Sequence, residues 1–480
     1  MEQLFSSTCS KTLHLRDAGY HVVEMWEHAF KSLVKTSKCP ECPEWILNRA
    51  PLNPRDAMRG GRCGPFSLWK KTKGEEKIRY VDFNSLYPSC QLERYPIGHP
   101  TVLTADFADK PEKVYFGLMK AKVVGNGKLH AGVLPVRVRG KLMFPLCKTC
   151  AEEQSSVACS HSEKQRAMVG TWTTLELKLA VEKGYTILHV YEVWHYSESS
   201  TLLFSSYILA KMKDKQEASG WPPGVVTDDE KTEYIDAYYQ RTGILLDQSK
   251  IERNEARRSQ AKLMLNTLWG KFGEKTKRTT TVFLDDPAKF WNLITDNGIE
   301  VTRFHMVHDD LVCVSYVKVD EFILEGPRQS IVVAAWTTSL ARVKLYKELD
   351  KLLPEQRLYT DTDSVLYVDR PGWPSLETGD ALAYAYRTQG GTVECKVKGI
   401  HMNFTTSKRV HLEAMLELVQ DEDEEKEGAL AITVPDPQIV RDVRTYNLRT
   451  EEAREKTVVL HFDKRMRRQY DSLPFGATEN

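Results

Sequence analysis

The sequence predicts an α+β protein of several subdomains, and three observations carry that expectation. Short β-branched and aromatic runs flank Asp361-Thr362-Asp363, a strand-like run leads from Ile78 to Asp82, and a long basic segment around Lys262 has helical spacing. At 480 residues with 41% hydrophobic content, the chain can form several compact parts with cores of their own.

The upstream element runs from Ile78 to Phe83 as a strand. Asn84 and Ser85 follow as N-cap residues for a helix, which puts Asp82 at a strand's end. Next comes Lys262–Gly273, preceded by Lys250–Ala261, which reads as a helix ending near Gly270. Spacings of three and four place Arg258, Lys262, Asn266 and Trp269 on one of its faces. Leu358-Tyr359 and Val365–Val368 then read as the two strands of a hairpin, whose tight turn can aim Asp361 and Asp363 at one point.

Magnesium is a hard ion held by carboxylates together with phosphates and waters. Asp82, Asp361 and Asp363 at strand ends suit two such ions about 3.5–4 Å apart, one activating a hydroxyl and the other stabilising a leaving pyrophosphate. A cationic helix face beside them suits a nucleoside triphosphate, with Lys262 and Arg258 at the phosphates and Trp269 as a flat surface for a base. Each piece has a plainer account when taken alone. A lone Asp-Thr-Asp is more often a hydrogen-bonded turn, and a basic helix face is more often only solvated.

In this order the three boxes resemble motifs A, B and C of family B DNA polymerases: Asp82 to Pro88, Lys262 to Gly270, and Tyr359 to Ser364. Thr267 and Trp269 depart from the family's Ser and Tyr while keeping a hydroxyl and an aromatic plane. The resemblance implies a right-hand polymerase (palm, fingers, thumb) that adds deoxynucleotides to a primer 3′-hydroxyl, with Asp82 and Asp361 as main metal ligands and Asp363 assisting. It implies a nucleotide pocket of Phe83, Ser85, Leu86, Tyr87, Arg258, Lys262, Asn266 and Trp269, with Tyr87 excluding a 2′-hydroxyl. It implies DNA contacts at Gly60, Gly61, Tyr359, Thr362, Tyr384, Lys396 and Lys398.

The long interval between Asp82 and Lys262 leaves room for an insertion, as in enzymes of this family that use a protein as primer. Pro54–Arg62, Tyr95–Pro100, Gly170-Thr171-Trp172 and Tyr191–His195 are similar to protein-primed polymerases of Polinton or Maverick transposons and related viruses. The partners so implied are a DNA primer-template, deoxynucleoside triphosphates and a terminal priming protein. The implied layout is 1–76 as a remnant linking to a missing exonuclease domain, 77–100 as palm, 101–196 as an inserted subdomain and 197–248 as palm and fingers. It continues with 249–273 as fingers, 274–310 as a second insertion, 311–394 as palm and 395–480 as thumb.

Inside the first insertion, Cys147, Cys150, Cys159 and His161 form two close pairs that could close a tetrahedral zinc site. Reduced, unligated thiols are an equal alternative, and Cys39 and Cys42 have no evident partners. The ten cysteines are irregularly spaced, unlike a secreted disulfide framework. No apolar run approaches the ~20 residues of a membrane span. An intracellular protein is therefore expected, nuclear if the host is eukaryotic.

The net charge of +1 requires any DNA-binding field to be local. Arg253 with Arg257-Arg258 is one basic cluster. Lys464–Arg468 is another, read as a DNA contact, a localisation patch or a solvated tail, while Asp421–Glu425 reads as an exposed acidic loop. Two departures from the family qualify the reading. Only a short stretch precedes Asp82, so proofreading is not expected, and Leu382 stands where relatives place the lysine of a primer-gripping Lys-x-Tyr. The alternative reading is a non-catalytic, DNA-binding remnant. An RNA-synthesising or reverse-transcribing enzyme is disfavoured by Tyr87.

Overall fold

The computed structural model describes residues 2–19, 22, 50–83, 85–222, 224–274, 277–319, 329–376, 385–387, 393–395, 404–420, 431–435, 438–441, 447–451, 455–458 and 463–478. The chain divides into two units, Met1–Pro51 and Leu52–Asn480. The first contains helix α1 (Glu2–Asp17), with His14 and Arg16 in its last turn, where the helix dipole favours cations. Among the described residues, no helix is long and apolar enough to cross a membrane.

The second unit begins with strands β1 (Cys63–Pro65) and β2 (Lys77–Asp82) and the short helix α2 (Leu86–Cys90). Strands β3 (Thr101–Leu103), β4 (Gly117–Val124) and β5 (Met168–Thr173), helix α3 (Thr174–Glu182) and strand β6 (Thr186–His195) follow. Helices α4 (Ser205–Glu217) and α5 (Glu255–Phe272) precede strands β7 (Thr280–Leu284), β8 (Ile299–His308) and β9 (Leu311–Lys318). Helix α6 (Ile331–Lys351) leads into the hairpin β10 (Arg357–Asp361) and β11 (Ser364–Asp369), and a last hairpin, β12 (Met466–Arg468) and β13 (Asp471–Leu473), ends the described chain. The mixed α+β architecture is as the sequence predicts.

One four-stranded antiparallel sheet, in the order β1-β10-β11-β2, carries the acidic residues. A second, β3-β6-β4-β5, is formed by 101–195. The two share one core, in which Met119 and Trp172 of the second sheet pack with Val365 and Tyr367 of the first and Leu345 of α6. Trp172 is fully buried and donates from Nε1 to the Pro135 carbonyl at 2.9 Å, so its polar end is satisfied. Helices α4 and α5 pack together and join α6 through Tyr95, Phe204, Ile208, Leu265 and Trp336. Strands β7–β9 form a separate three-stranded sheet with Phe283 and Phe304 exposed.

Helix α6 supplies more than apolar contact. Arg342 and Glu176 of α3 are both nearly inaccessible and form an ion pair, Nε to Oε1, at 2.7 Å. Burial would raise the Glu176 carboxyl, but the Arg342 charge and the hydrogen bonds from Arg342 and Ser339 outweigh it and hold the pKa below the ordinary value. Arg342 Nη1 also donates to the carbonyls of Arg59 and Gly60, at 2.5 and 2.8 Å. Replacing Glu176 by alanine leaves a buried guanidinium without its counter-charge. A loss of about 3–5 kcal/mol in urea unfolding is expected, against a fraction of that for the exposed Lys148–Glu152 pair.

Candidate active site

Strand register assembles the site. Cys63 pairs with Asp361, Asp361 with Ser364, and Ser364 with Asp82, so these residues form one row across the sheet. Directly opposed residues face the same side, which puts Asp82 and Asp361 on one face about two strand spacings, or ~9.6 Å, apart with Ser364 between them. The small serine leaves that gap open, and its Oγ turns back to the Asp361 carbonyl at 3.0 Å. Asp82 ends β2 as expected, while the strand stops there and does not include Phe83.

The turn between β10 and β11 holds Thr362 at φ +56°, a left-handed conformation that β-branched residues rarely adopt. Surrounding contacts over-determine it. The Thr362 amide donates to the Arg62 carbonyl at 2.7 Å, and its Oγ1 donates to Asp361 Oδ1 at 3.2 Å. Gly61 packs so closely that a Cβ there would lie 2.8 Å from Thr362 Cγ2. Gly60 meets nothing at its own Cβ position and is held through its carbonyl by Arg342. The Asp363 carbonyl accepts the Phe83 amide at 2.7 Å, tying the two acidic motifs together.

Burial raises the Asp363 carboxyl and the neighbouring Asp361 charge raises it further, whereas Lys262 acts in the opposite sense. A half-buried pair of carboxylates at strand ends, with Asp82 across the same face, is an oxygen donor set that fits magnesium. Tyr359 is partly buried behind it, its hydroxyl 3.3 Å from Cys63 Sγ.

Ser85 occupies the N-cap position of α2 but does not cap it. It is left-handed (φ +59°) with no side-chain bond to the helix, and its Oγ accepts from Lys215 Nζ at 3.0 Å. This corrects the expected role, because the hydroxyl is drawn to a cation in place of the helix amides. Asn84 lies outside the described residues. Leu86 is buried with Cys90 and Ala341, and Tyr87 stacks on Trp269 with centroids 4.7 Å apart and planes at 20°. Burial pushes the Tyr87 hydroxyl up to about 12.

Helix α5 starts at Asn254, whose side chain accepts the Arg257 amide at 2.9 Å, and runs to Phe272. It therefore passes the expected stop near Gly270, which meets open space at its Cβ position. Gly273 ends the helix, where a side chain would strike Met58. Lys262, Asn266 and Trp269 follow at helical spacing, with Lys262 and Asn266 exposed. Arg258 donates from Nε to Ser219 Oγ at 3.3 Å.

Lys215 of α4 escaped sequence reasoning. Burial lowers its pKa, and the charges of Arg258 and Lys262 lower it further, so three cations lie near one another, with Lys215 on Ser85. Neighbouring Lys211 and Lys213 are paired with Asp214 and Glu217, whereas Lys215 has no carboxylate partner among the described residues. The alternation of lysines at 211, 213 and 215 gave no means of choosing among them, because the packing of α4 against α5 makes the choice.

Tyr384, Lys396, Lys398, Leu382, the Cys39/Cys42 pair and the Asp421–Glu425 run lie outside the described residues. The Lys464–Arg468 cluster is split: Lys464 and Arg468 are exposed, whereas Arg465 and Met466 turn inward. Arg465 is turned inward over the Phe66 ring at 4.5 Å, donating to the His130 carbonyl, and Met466 is 2% exposed. Cys147, Cys150, Cys159 and His161 come together as their spacing allows.

The profile of DNA polymerase type B, organellar and viral, matches residues 52–222 and 229–351. That span includes Asp82 and Lys262 and stops before Asp361, which strand register joins to Asp82 through Ser364. The chain is similar to Phi29 DNA polymerase complexed with primer-template DNA and incoming nucleotide substrates, at 16% identity and a TM-score of 0.48, covering 90% of this chain and 66% of that one. The Phi29 complex with single-stranded DNA gives 15% identity and a TM-score of 0.44, covering 94% and 69%. No curated protein is detectably similar in sequence.

Gly61→Ala should displace the Thr362 turn and, with it, Asp361 and Asp363. The expected result is a fall of about 100-fold or more in the rate of whatever reaction the carboxylates serve, with thermal unfolding lowered by only a few degrees. Comparing turnover with the melting temperature checks this.

Proposed function

The chain belongs to the organellar and viral type B DNA polymerases, and from that premise we propose that it extends DNA on a template, adding deoxynucleotides to a primer 3′-hydroxyl or to a hydroxyl of a terminal priming protein. The observation that carries this reading is the row Asp82–Ser364–Asp361, with Asp363 in the turn beside it and Lys215, Arg258 and Lys262 on two neighbouring helices.

Asp82, Asp361 and Asp363 would hold magnesium. When bound, it supplies Lewis-acid activation of the attacking hydroxyl and charge stabilisation of the leaving pyrophosphate. The chain's own residues position the reactants. Lys262, Arg258 and Lys215 bind the triphosphate, and their mutual repulsion favours an anion between them. Tyr87, half-buried and braced by its stack on Trp269, would form a floor under the sugar that excludes a 2′-hydroxyl. Thr362 and Gly61 fix the turn that aims the carboxylates. The sheet and α6 act as palm, and α4 with α5 acts as fingers.

Two measurements test the proposal. A labelled primer on a DNA template with deoxynucleotides and magnesium should be extended by the native chain and not by Asp361→Ala. Absence of extension by a native chain that still binds DNA would sink the enzyme reading and favour a binding remnant. Tyr87→Val should raise ribonucleotide insertion relative to deoxynucleotide by about tenfold or more, the scale of a contact of a few atoms in a closed pocket. Lys215→Met should raise the deoxynucleotide KM more than the DNA Kd, because a phosphate contact acts on the triphosphate.

A further inference from the structure

The side chains of Cys147, Cys150, Cys159 and His161 lie within 4.8 Å of one another. His161 Nδ1 is 3.7, 3.2 and 3.7 Å from the three sulfurs in chain order. Zinc bonds of about 2.3 Å to sulfur and 2.0 Å to nitrogen in a tetrahedron place such atoms about 3.5 Å apart, so the cluster has the span of a closed site. The Cys150 amide points at Cys147 Sγ at 3.4 Å, and His161 Nε2 faces Glu153 at 3.9 Å, the side on which a ligating histidine carries its carboxylate partner. Three thiols and an imidazole select zinc over magnesium.

The C-terminal segment is fastened to these same residues. The Phe475 carbonyl accepts the amides of Leu146 and Cys147 at 2.7 and 3.3 Å, and the Ala477 carbonyl accepts that of Cys159 at 2.9 Å. Between them Gly476 sits at φ +94°, where a Cβ would fall 2.4 Å from Cys147 Cβ. Phe475, Met466, Cys147 and Cys150 share one small core of eight buried residues. At its other end the hairpin β12–β13 is bonded to the start of the catalytic unit. Ser472 donates its amide to the Phe66 carbonyl and its Oγ to the Pro65 carbonyl, at 2.8 and 2.7 Å. Pro65 lies opposite Tyr359 in the sheet that bears Asp361.

We propose that Cys147, Cys150, Cys159 and His161 bind one zinc ion, and that this ion latches the C-terminal hairpin across β1, the outer strand of the catalytic sheet. The hairpin also places the Arg465 guanidinium 4.5 Å from the Phe66 ring, where it donates to the His130 and Ser472 carbonyls at 3.0 and 2.8 Å. The latch is independent of polymerase chemistry.

The test uses the full chain. Metal analysis after purification without added zinc should return one zinc per chain. Hydrogen exchange should show protection of the amides of Ser472, of Leu68, which donates to the Tyr470 carbonyl, and of Thr478, which donates to the Gly127 carbonyl, and a chelator should speed their exchange by at least tenfold while those of α6 stay protected. Substoichiometric zinc overturns the proposal, as does unchanged protection after zinc removal. Exchange that spreads to α6 overturns it too, because the ion would then hold the whole unit and not the hairpin.

Discussion

The arrangement of the site depends on one buried ion pair. Glu176 and Arg342 lie away from the carboxylates, yet Arg342 is the group that grips the Arg59 and Gly60 carbonyls. Those carbonyls set the path of the chain into Gly61, and Gly61 is the surface against which Thr362 is forced left-handed. A guanidinium can do this because its planar fork has donors for a carboxylate and two carbonyls at once, which a lysine lacks. The strain in the turn is thus sustained by a salt bridge between α3 and α6, and the pair's value lies in specifying geometry more than in net stability.

The cationic side follows a different logic. The acidic face is fixed by main-chain pairing, whereas the cationic face is set by side chains on two helices that meet only through packing. Tyr87 and Trp269 lie across that division, one beside the strand end and the other on α5, and their stacking brings the two faces into register. The apolar contact of Leu265, Trp336 and Phe204 beneath them makes the helix pair one body with α6.

How much of this was legible follows from the range of each interaction. The Asp361-Thr362-Asp363 turn, the end of β2 at Asp82 and the face of α5 are local patterns, and the structure has them. The Cys/His grouping was legible as spacing, since two short pairs need only a turn to meet. Ser85 was misread because a serine before a helix is a cap only if nothing else competes, and Lys215 does. The end of α5 was legible to within two residues, at Phe272, and the close contact that demands glycine is that of Gly273 with Met58. Arg465 was read only as one of a basic cluster at the surface; its inward turn depends on Phe66 and His130, far away in sequence.

The pairing of β2 with β11 has a consequence for how the protein is made. Asp82 is synthesised long before Ser364, and until β11 emerges from the ribosome β2 has no strand to bind, so its hydrogen-bonding edge and the apolar side chains of Val81 and Phe83 stay open. Almost everything between them, the second sheet and the α4–α5 pair included, can form from contacts nearer in sequence. The acidic row is therefore assembled late, and a truncated product of translation ending before residue 364 would contain a folded body with an unfinished, adhesive edge and an incomplete acidic row.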